Sequence, residues 1–295
     1  MSDGDKNDHI EDSKAPLISH LVELRDRLKW VVIAFFAAFC VSYFFAEQIY
    51  SFLVRPLATI YADMGVENPR MIYTALTEAF FTYLKVSFYT ALFISFPIFA
   101  SQIYKFAAPG LYQNEKKAFY PFLIATPILF ALGAGLVYYF IFPLAWKFFL
   151  SFQTVGSSGG LPIQLEAKVN EYLSLVLKLM FAFGLAFQLP VAITLLSTAG
   201  LVSATSLRKK RKYAIVVAFA AAAILTPPDL ISQIGLGIPI ILLFEISIFL
   251  ASLIEKKKGY NSDGLEDEEN SNFTDNDENN FNDEDVPETD YNEEK

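Results

Sequence analysis

Few side chains in this sequence are equipped for chemistry, and most of them stand in or beside apolar runs. Glu23 lies just before one run and Glu115 just before another, while Lys85, Lys178, Glu245 and the amide of Gln188 fall inside runs. Carboxylates at the margin of an apolar layer accept paired, charge-assisted hydrogen bonds from guanidinium groups, and partial exclusion of water strengthens those bonds. Each acid also has a plainer reading. Glu23 stands four residues before Arg27, the spacing of a helical ion pair worth roughly 0.2–0.5 kcal/mol, and Glu115 reads equally as a solvated loop charge. Inside an apolar run an ionisable group is a functional candidate by default, because burying it costs several kcal/mol or a local bilayer defect. Lys85 and Lys178 lie about two turns from the ends of their runs, near enough for the ammonium to snorkel outward. Glu245 is placed deeper, as a buried hydrogen-bonded acid or as part of a coupling site. Gln188, shortly before Pro190, reads as a helix–helix hydrogen bond.

Other chemistries lack their residues. The two histidines, His9 and His20, have no metal-ligand spacing to a partner, and the one cysteine, Cys40, excludes an internal disulfide. The sequence has no phosphate loop, dinucleotide fingerprint or Ser/His/Asp arrangement. Neither an enzyme nor a cofactor is expected, and no nucleic-acid partner; what remains is electrostatic recognition.

The elements that must position these groups are apolar helices. Of 295 residues 54% are hydrophobic, with 29 Phe and 15 Tyr, more than a water-soluble domain covers. A helix rising ~1.5 Å per residue needs about 20 residues to cross ~30 Å of hydrocarbon. Six runs qualify as spans: about Trp30–Ala46, Phe80–Ala100, Ala118–Leu144, Tyr172–Thr198, Tyr213–Leu225 and Leu230–Ile254. The fold class is therefore all-α, a polytopic membrane protein with six transmembrane helices. Before the first span, Leu17, Leu21, Leu24 and Leu28 form one helical stripe with Glu23, Arg25, Asp26 and Arg27 on the other faces, so an amphipathic helix leads into it. Span 5, with thirteen residues, reaches only about 20 Å, and Gly235, Gly237 and Pro239 interrupt span 6 early. These two form a short hairpin that either thins the bilayer or stops short of crossing it.

Orientation follows from the basic residues. One side carries fourteen: Arg25, Arg27 and Lys29; Lys105, Lys116 and Lys117; the run Arg208–Lys212; and Lys256–Lys258. The other carries Arg55, Arg70, Lys147 and Lys168. The positive-inside rule then predicts that both termini and the loops after spans 2 and 4 face the cytoplasm. The formal charge of −9 hides this bias, because the tail after Asn261 holds a balance of −14 and leaves +5 for the rest. Three parts are expected: a disordered N-terminus (1–16), a membrane domain (17–258) and an acidic tail (259–295) too poor in apolar residues to fold.

Five blocks in this order resemble the TatC family, the multispanning component of the twin-arginine protein translocase. They are the stretch from His20 to Leu28 (HLVELRDRL); Phe106–Tyr112 (FAAPGLY) followed by Glu115-Lys116-Lys117; Phe142-Pro143-Leu144; Phe183-Gly184 with Phe187–Val191 (FQLPV); and Leu207–Arg211 leading to Leu225–Asp229 (LTPPD). The resemblance covers about Pro16 to Glu255. It implies a six-helix cup in the bacterial inner membrane that binds twin-arginine signal peptides and exports folded proteins, driven by the proton gradient. It places peptide binding at Glu23 and Glu115, with Arg25 and Phe106 nearby. It assigns structural or coupling roles to Pro56, Gln188, Asp229 and Glu245, and contact with partner helices along span 5 to Thr226 and Gln233. The implied partners are TatA-type and TatB-type single-span membrane proteins, within a complex holding further copies of the chain. Family members commonly carry Glu where this chain has Gln188, which cannot titrate. The competing class, a secondary transporter of a small solute, predicts paired broken helices meeting at mid-membrane, and no matching pair occurs in the first half. A purely structural scaffold gives no reason for the placing of Glu23 and Glu115.

Overall fold

A computed structural model of the chain describes residues 5–66, 68–107, 119–154, 161, 163–226 and 230–274, with side chains described from Val22 to Lys256 apart from positions 107, 119, 120 and 231 within those ranges. The order is α1 (Asp5–Phe44), α2 (Ala46–Asp63), β1 (Met71–Ile72), α3 (Glu78–Ala107), α4 (Phe119–Leu136), a π turn (Val137–Ile141), α5 (Phe142–Leu150), β2 (Ala167–Lys168), α6 (Val169–Ala186), α7 (Leu189–Thr198), α8 (Ala204–Lys209), α9 (Arg211–Leu225) and α10 (Leu230–Thr274). Five stretches are long and apolar enough to cross a membrane: Val22–Phe44, Glu78–Phe106, Pro121–Leu150, Val169–Thr198 and Ser232–Lys256. The sixth apolar helix, α9, has 15 residues and reaches only about 22 Å. The chain is a multi-pass, all-α membrane protein whose six apolar helices form an open cup.

The amphipathic segment and the first span make one helix, α1, with no break between them. Its helical backbone starts at Asp5, inside the segment expected to be disordered, and α10 runs on to Thr274, inside the acidic tail. A helix nucleated by a packed span extends at one hydrogen bond per residue, which is how both reach beyond their apolar parts.

At the end of the bundle away from the start of α1, α2 lies with Leu53, Pro56, Leu57, Ile60 and Tyr61 buried. That face packs on Phe142, Trp146 and Leu150 of α5 and on Tyr172, Leu173 and Val176 of α6, forming the main core. There β1 and β2 pair in parallel, Met71 opposite Ala167 and Ile72 opposite Lys168, and clip together the two long connections at that end.

Prolines and glycines set the irregularities. Pro143 has no N–H for the carbonyl four residues earlier, and the preceding turn widens to π spacing, with Phe142 N–H reaching Val137 O. Pro190 has a different effect in the fourth span: the turn before it tightens, with Gln188 N–H reaching Leu185 O, and the helix breaks at Phe187-Gln188 between α6 and α7. In contrast, Gly235, Gly237 and Pro239 do not interrupt span 6, since α10 is continuous through them. Gly237 is instead a packing position: a Cβ there would stand 2.8 Å from the ring of Phe219 in α9. Between α4 and α6, a Cβ on Gly133 would lie 2.5 Å from the carbonyl oxygen of Phe183. Small residues let helices approach this closely where van der Waals packing drives association.

Candidate functional site

The first candidate group sits where α1 enters its span beside the end of α3. Arg27 Nε donates to Glu23 Oε1 at 3.1 Å, with a second, shorter bond from Nη2 to the same oxygen. Both side chains are half-buried. Arg27 also lines a crevice of about 90 Å³ with Leu24, Leu28, Phe99, Gln102 and Phe106. The helical period puts Glu23 and Arg27 on one face of α1, and α3 packed alongside brings Phe106 to them. Arg25 projects elsewhere: it is exposed, pairs with Asp26 at 3.1 Å and takes no part in the crevice. Glu115 lies outside the described residues. Of the four residues expected at the peptide site, Phe106 lines the crevice and Glu23 is joined to it through Arg27, which shares the crevice with Phe106 and pairs with Glu23. Arg27 appeared in the sequence only as a partner for Glu23; its spacing signalled the pair, and nothing signalled the crevice.

Pro56 acts through the carbonyl it frees. With no N–H at position 56 the carbonyl of Phe52 has no helical partner, and Tyr138 Oη donates to it at 2.7 Å. The neighbouring Leu53 carbonyl accepts from Tyr172 at 3.0 Å, and the rings of Phe52 and Tyr138 stack 4.5 Å apart. No sequence signal pointed to either tyrosine.

Gln188 stands at the break in the fourth span. Its Nε2 donates to the Thr126 carbonyl of α4 at 3.0 Å, while Tyr104 of α3 and Thr126 Oγ1 are 2.7 Å apart. Three spans thus meet at one polar point. The amide oxygen is buried, with no hydrogen-bond partner among the described residues.

Glu245 departs from its expected surroundings. It is not a deeply buried acid: its side chain is 44% exposed, and it accepts from Arg211 Nη2 at 2.7 Å. The cause is the length of α9, whose first residue, Arg211, descends to the level of Glu245 on α10. Depth counted along span 6 alone overlooked how short its neighbour is. Asp229 lies outside the described residues.

The polar handles expected to meet partner helices are engaged within the chain. Thr226 is buried and donates to the Ala222 carbonyl at 2.9 Å, and Gln233 Nε2 reaches the Phe219 carbonyl at 3.3 Å, tying α10 to α9. What α9 presents outward is apolar: Val216, Val217 and Ile224 are each at least 65% exposed.

Among the described residues no group of three or more His, Cys, Asp or Glu is placed to hold a metal ion. The geometry offers binding surfaces: a carboxylate–guanidinium pair beside a crevice, a polar junction between three spans, and an apolar helix face.

Comparison with known proteins gives one answer. Residues 19–239 match the profile of the family described as Sec-independent protein translocase protein (TatC). Similar proteins of that name include one from Magnetococcus marinus, 51% identical over 247 residues (84% of this chain, 88% of the relative). Another, from Escherichia coli, is 38% identical over 242 residues, covering 82% and 90% of the two chains. A crystal structure of the twin-arginine translocase receptor TatC superposes with a TM-score of 0.69 at 37% identity, covering 80% of this chain and 99% of that one. A protein translocase family leaves the solute-transporter reading without support. The chain belongs to the TatC family of Sec-independent protein translocases.

Proposed function

We propose that the chain is the signal-peptide receptor and core membrane subunit of a twin-arginine translocase, which exports folded proteins across the bacterial inner membrane. The observation that carries this reading is the Glu23–Arg27 pair beside Phe106. The half-buried Glu23 carboxylate already holds a guanidinium, that of Arg27, which lines the crevice, so an arginine of the peptide takes the place of Arg27 by exchange of like for like. Glu115 supplies the second carboxylate for the paired arginine, and Phe106 covers the aliphatic stem of the bound side chain. Arg25 contributes positive charge near the crevice rather than a contact in it.

The basic bias supports a cytoplasmic position for this rim, both termini and the loops after the second and fourth spans. The membrane domain comprises residues 17–258, and the acidic segment 259–295 solvates the cytoplasmic face. TatA-type and TatB-type single-span proteins dock on the apolar face of α9, with Thr226 and Gln233 at its edge, in a complex that holds several copies of the chain. Asp229, Glu245 and Pro56 keep the hairpin and the opposite cap in shape for that assembly. The chain performs no catalytic step and needs no cofactor. The proton gradient drives transport, and Gln188, which does not titrate, contributes hydrogen bonds to the process and no proton.

The test is a photo-crosslinker at Phe106 in the full chain, challenged with a signal peptide bearing paired Arg or paired Lys. Replacing Glu23 by Gln should weaken binding of the paired-Arg peptide by roughly thirtyfold or more, since truncating one partner of a buried charged pair costs about 2–5 kcal/mol. Arg27→Gln should move it the other way, by roughly twofold, because a competing pair of about 0.3–0.5 kcal/mol is gone. Equal crosslinking of the two peptides overturns the receptor reading.

A further inference from the structure

The cup has a second charged locus, far from the basic rim, and its two cations, Lys85 and Lys178, form no ion pair among the described residues. Lys85 of α3 donates to Asn170 Oδ1 at 2.6 Å and to Ser174 Oγ at 2.7 Å, both neutral groups on α6. Lys178 stands one turn beyond Ser174 on the same face of α6, is exposed, and lies close enough to Lys85 for the two ammoniums to repel. Among the described residues no carboxylate pairs with either lysine. The acids nearby are engaged elsewhere. Glu166 holds Arg70 at 3.0 Å, Glu171 holds Lys168 at 3.5 Å, and the Glu78 carboxylate accepts backbone N–H groups of Thr74, Ala75 and Asn170.

Asn170, Ser174 and Lys178 line one wall of an open recess of about 660 Å³. Glu166, Glu171 and Lys168 also line it, both acids already holding a basic residue, and Trp146, Phe149, Leu175, Ile224 and Leu225 supply its apolar surface. Two adjacent positive charges inside a membrane span are costly unless a negative group neutralises them. Lys178 lies nine residues into α6, about 13 Å below its start. At that depth an ion with a full hydration shell is poorly accommodated, whereas a phosphate carrying acyl chains satisfies the lysines and the apolar walls together.

We propose that this recess binds the phosphodiester of an anionic phospholipid from the leaflet on the β1–β2 side. The phosphate meets Lys178 directly and receives the charge of Lys85 through Ser174 and Asn170. The acyl chains lie against Trp146, Leu175 and Ile224. The bound lipid fills the cup wall between α6 and α9, and so couples the short hairpin to the rest of the bundle.

Native mass spectrometry of the full-length protein in detergent tests this, with palmitoyl-oleoyl phosphatidylglycerol, the matching phosphatidylcholine and inorganic phosphate as probes. The expected result is retention of phosphatidylglycerol in preference to phosphatidylcholine, and a loss of about fivefold in that preference with Lys178→Gln, the contribution of one lysine near an anionic lipid surface. Lys178→Arg should keep the preference. Lys178 makes no hydrogen bond among the described residues, so its replacement leaves the fold intact, and an unchanged melting temperature of the lipid-free variant verifies that. Equal retention of the two lipids by the natural protein overturns the proposal and leaves the lysines to a carboxylate of a partner helix. An unchanged preference in Lys178→Gln overturns it as well. Displacement of the lipid by millimolar inorganic phosphate would show a site for the free anion and reject the lipid.

Discussion

At the residue scale, the most informative contact is one between a missing donor and a tyrosine. Pro56 sits in the interior of α2, where proline ordinarily costs about 3 kcal/mol by breaking a hydrogen bond and crowding the previous turn. Here the orphaned Phe52 carbonyl receives Tyr138 Oη at 2.7 Å, so proline and tyrosine form one unit that fastens α2 to the third span. Tyr138→Phe should therefore destabilise the purified protein by about 1–3 kcal/mol, the cost of an unsatisfied buried acceptor. In a Pro56→Ala background, where residue 56 again donates to Phe52, the same change should cost less. A double-mutant cycle on thermal or denaturant unfolding measures the difference, and additive effects would refute the link. Little of this was legible in the sequence: the two residues of the bond are 86 positions apart, and a mid-helix proline says only that a carbonyl is free, not what finds it. The Glu23–Arg27 pair was legible for the opposite reason, because a spacing of four is a local property of helices.

At the scale of elements, glycine marks where two helices touch. Gly133 faces the backbone of α6, and a methyl group there meets the Phe183 carbonyl at 2.5 Å, whereas a Cβ on Gly135 meets nothing within 4 Å. The two glycines are two residues apart in the same helix, so they share helix propensity but not surroundings. Gly133→Ala should lower stability by about 1–3 kcal/mol as the helices are forced apart. Gly135→Ala should be neutral or stabilising by up to about 1 kcal/mol, the usual difference between the two residues within a helix. Comparing melting temperatures of the two variants in one detergent separates packing from propensity, and equal losses would reject the packing argument. The spans themselves were legible from apolar run length, and the break at Gln188 from Pro190. The continuity of α10 through Gly235, Gly237 and Pro239 was not, because glycine reads as a breaker in sequence and becomes a packing surface only once Phe219 is set against it.

At the scale of the molecule, the cup is uneven in height, and that unevenness decides where water reaches. Five spans among the described residues exceed the bilayer core in length, while α9 covers about 22 Å of roughly 30 Å. The run Arg208–Lys212 lies at the start of this short helix, so Arg211 meets Glu245 at a point eleven residues, about 16 Å, inside the end of the Ser232–Lys256 span. A half-exposed ion pair at that depth is tolerable only where the bilayer thins or water enters from the basic side. With Cys40 replaced by Ala, Glu245→Cys should accordingly react with a membrane-impermeant thiol reagent applied from the basic side. A cysteine at Leu242, about one turn deeper along the exposed face of α10, should react far more slowly. Lengthening the acyl chains of the reconstituted bilayer should slow labelling at position 245, because a thicker core draws the hydrocarbon boundary over it. Labelling at 245 as slow as at 242, in thin and thick bilayers alike, would mean that the hairpin spans an undisturbed membrane. The paired charges would then be held there by protein contacts alone.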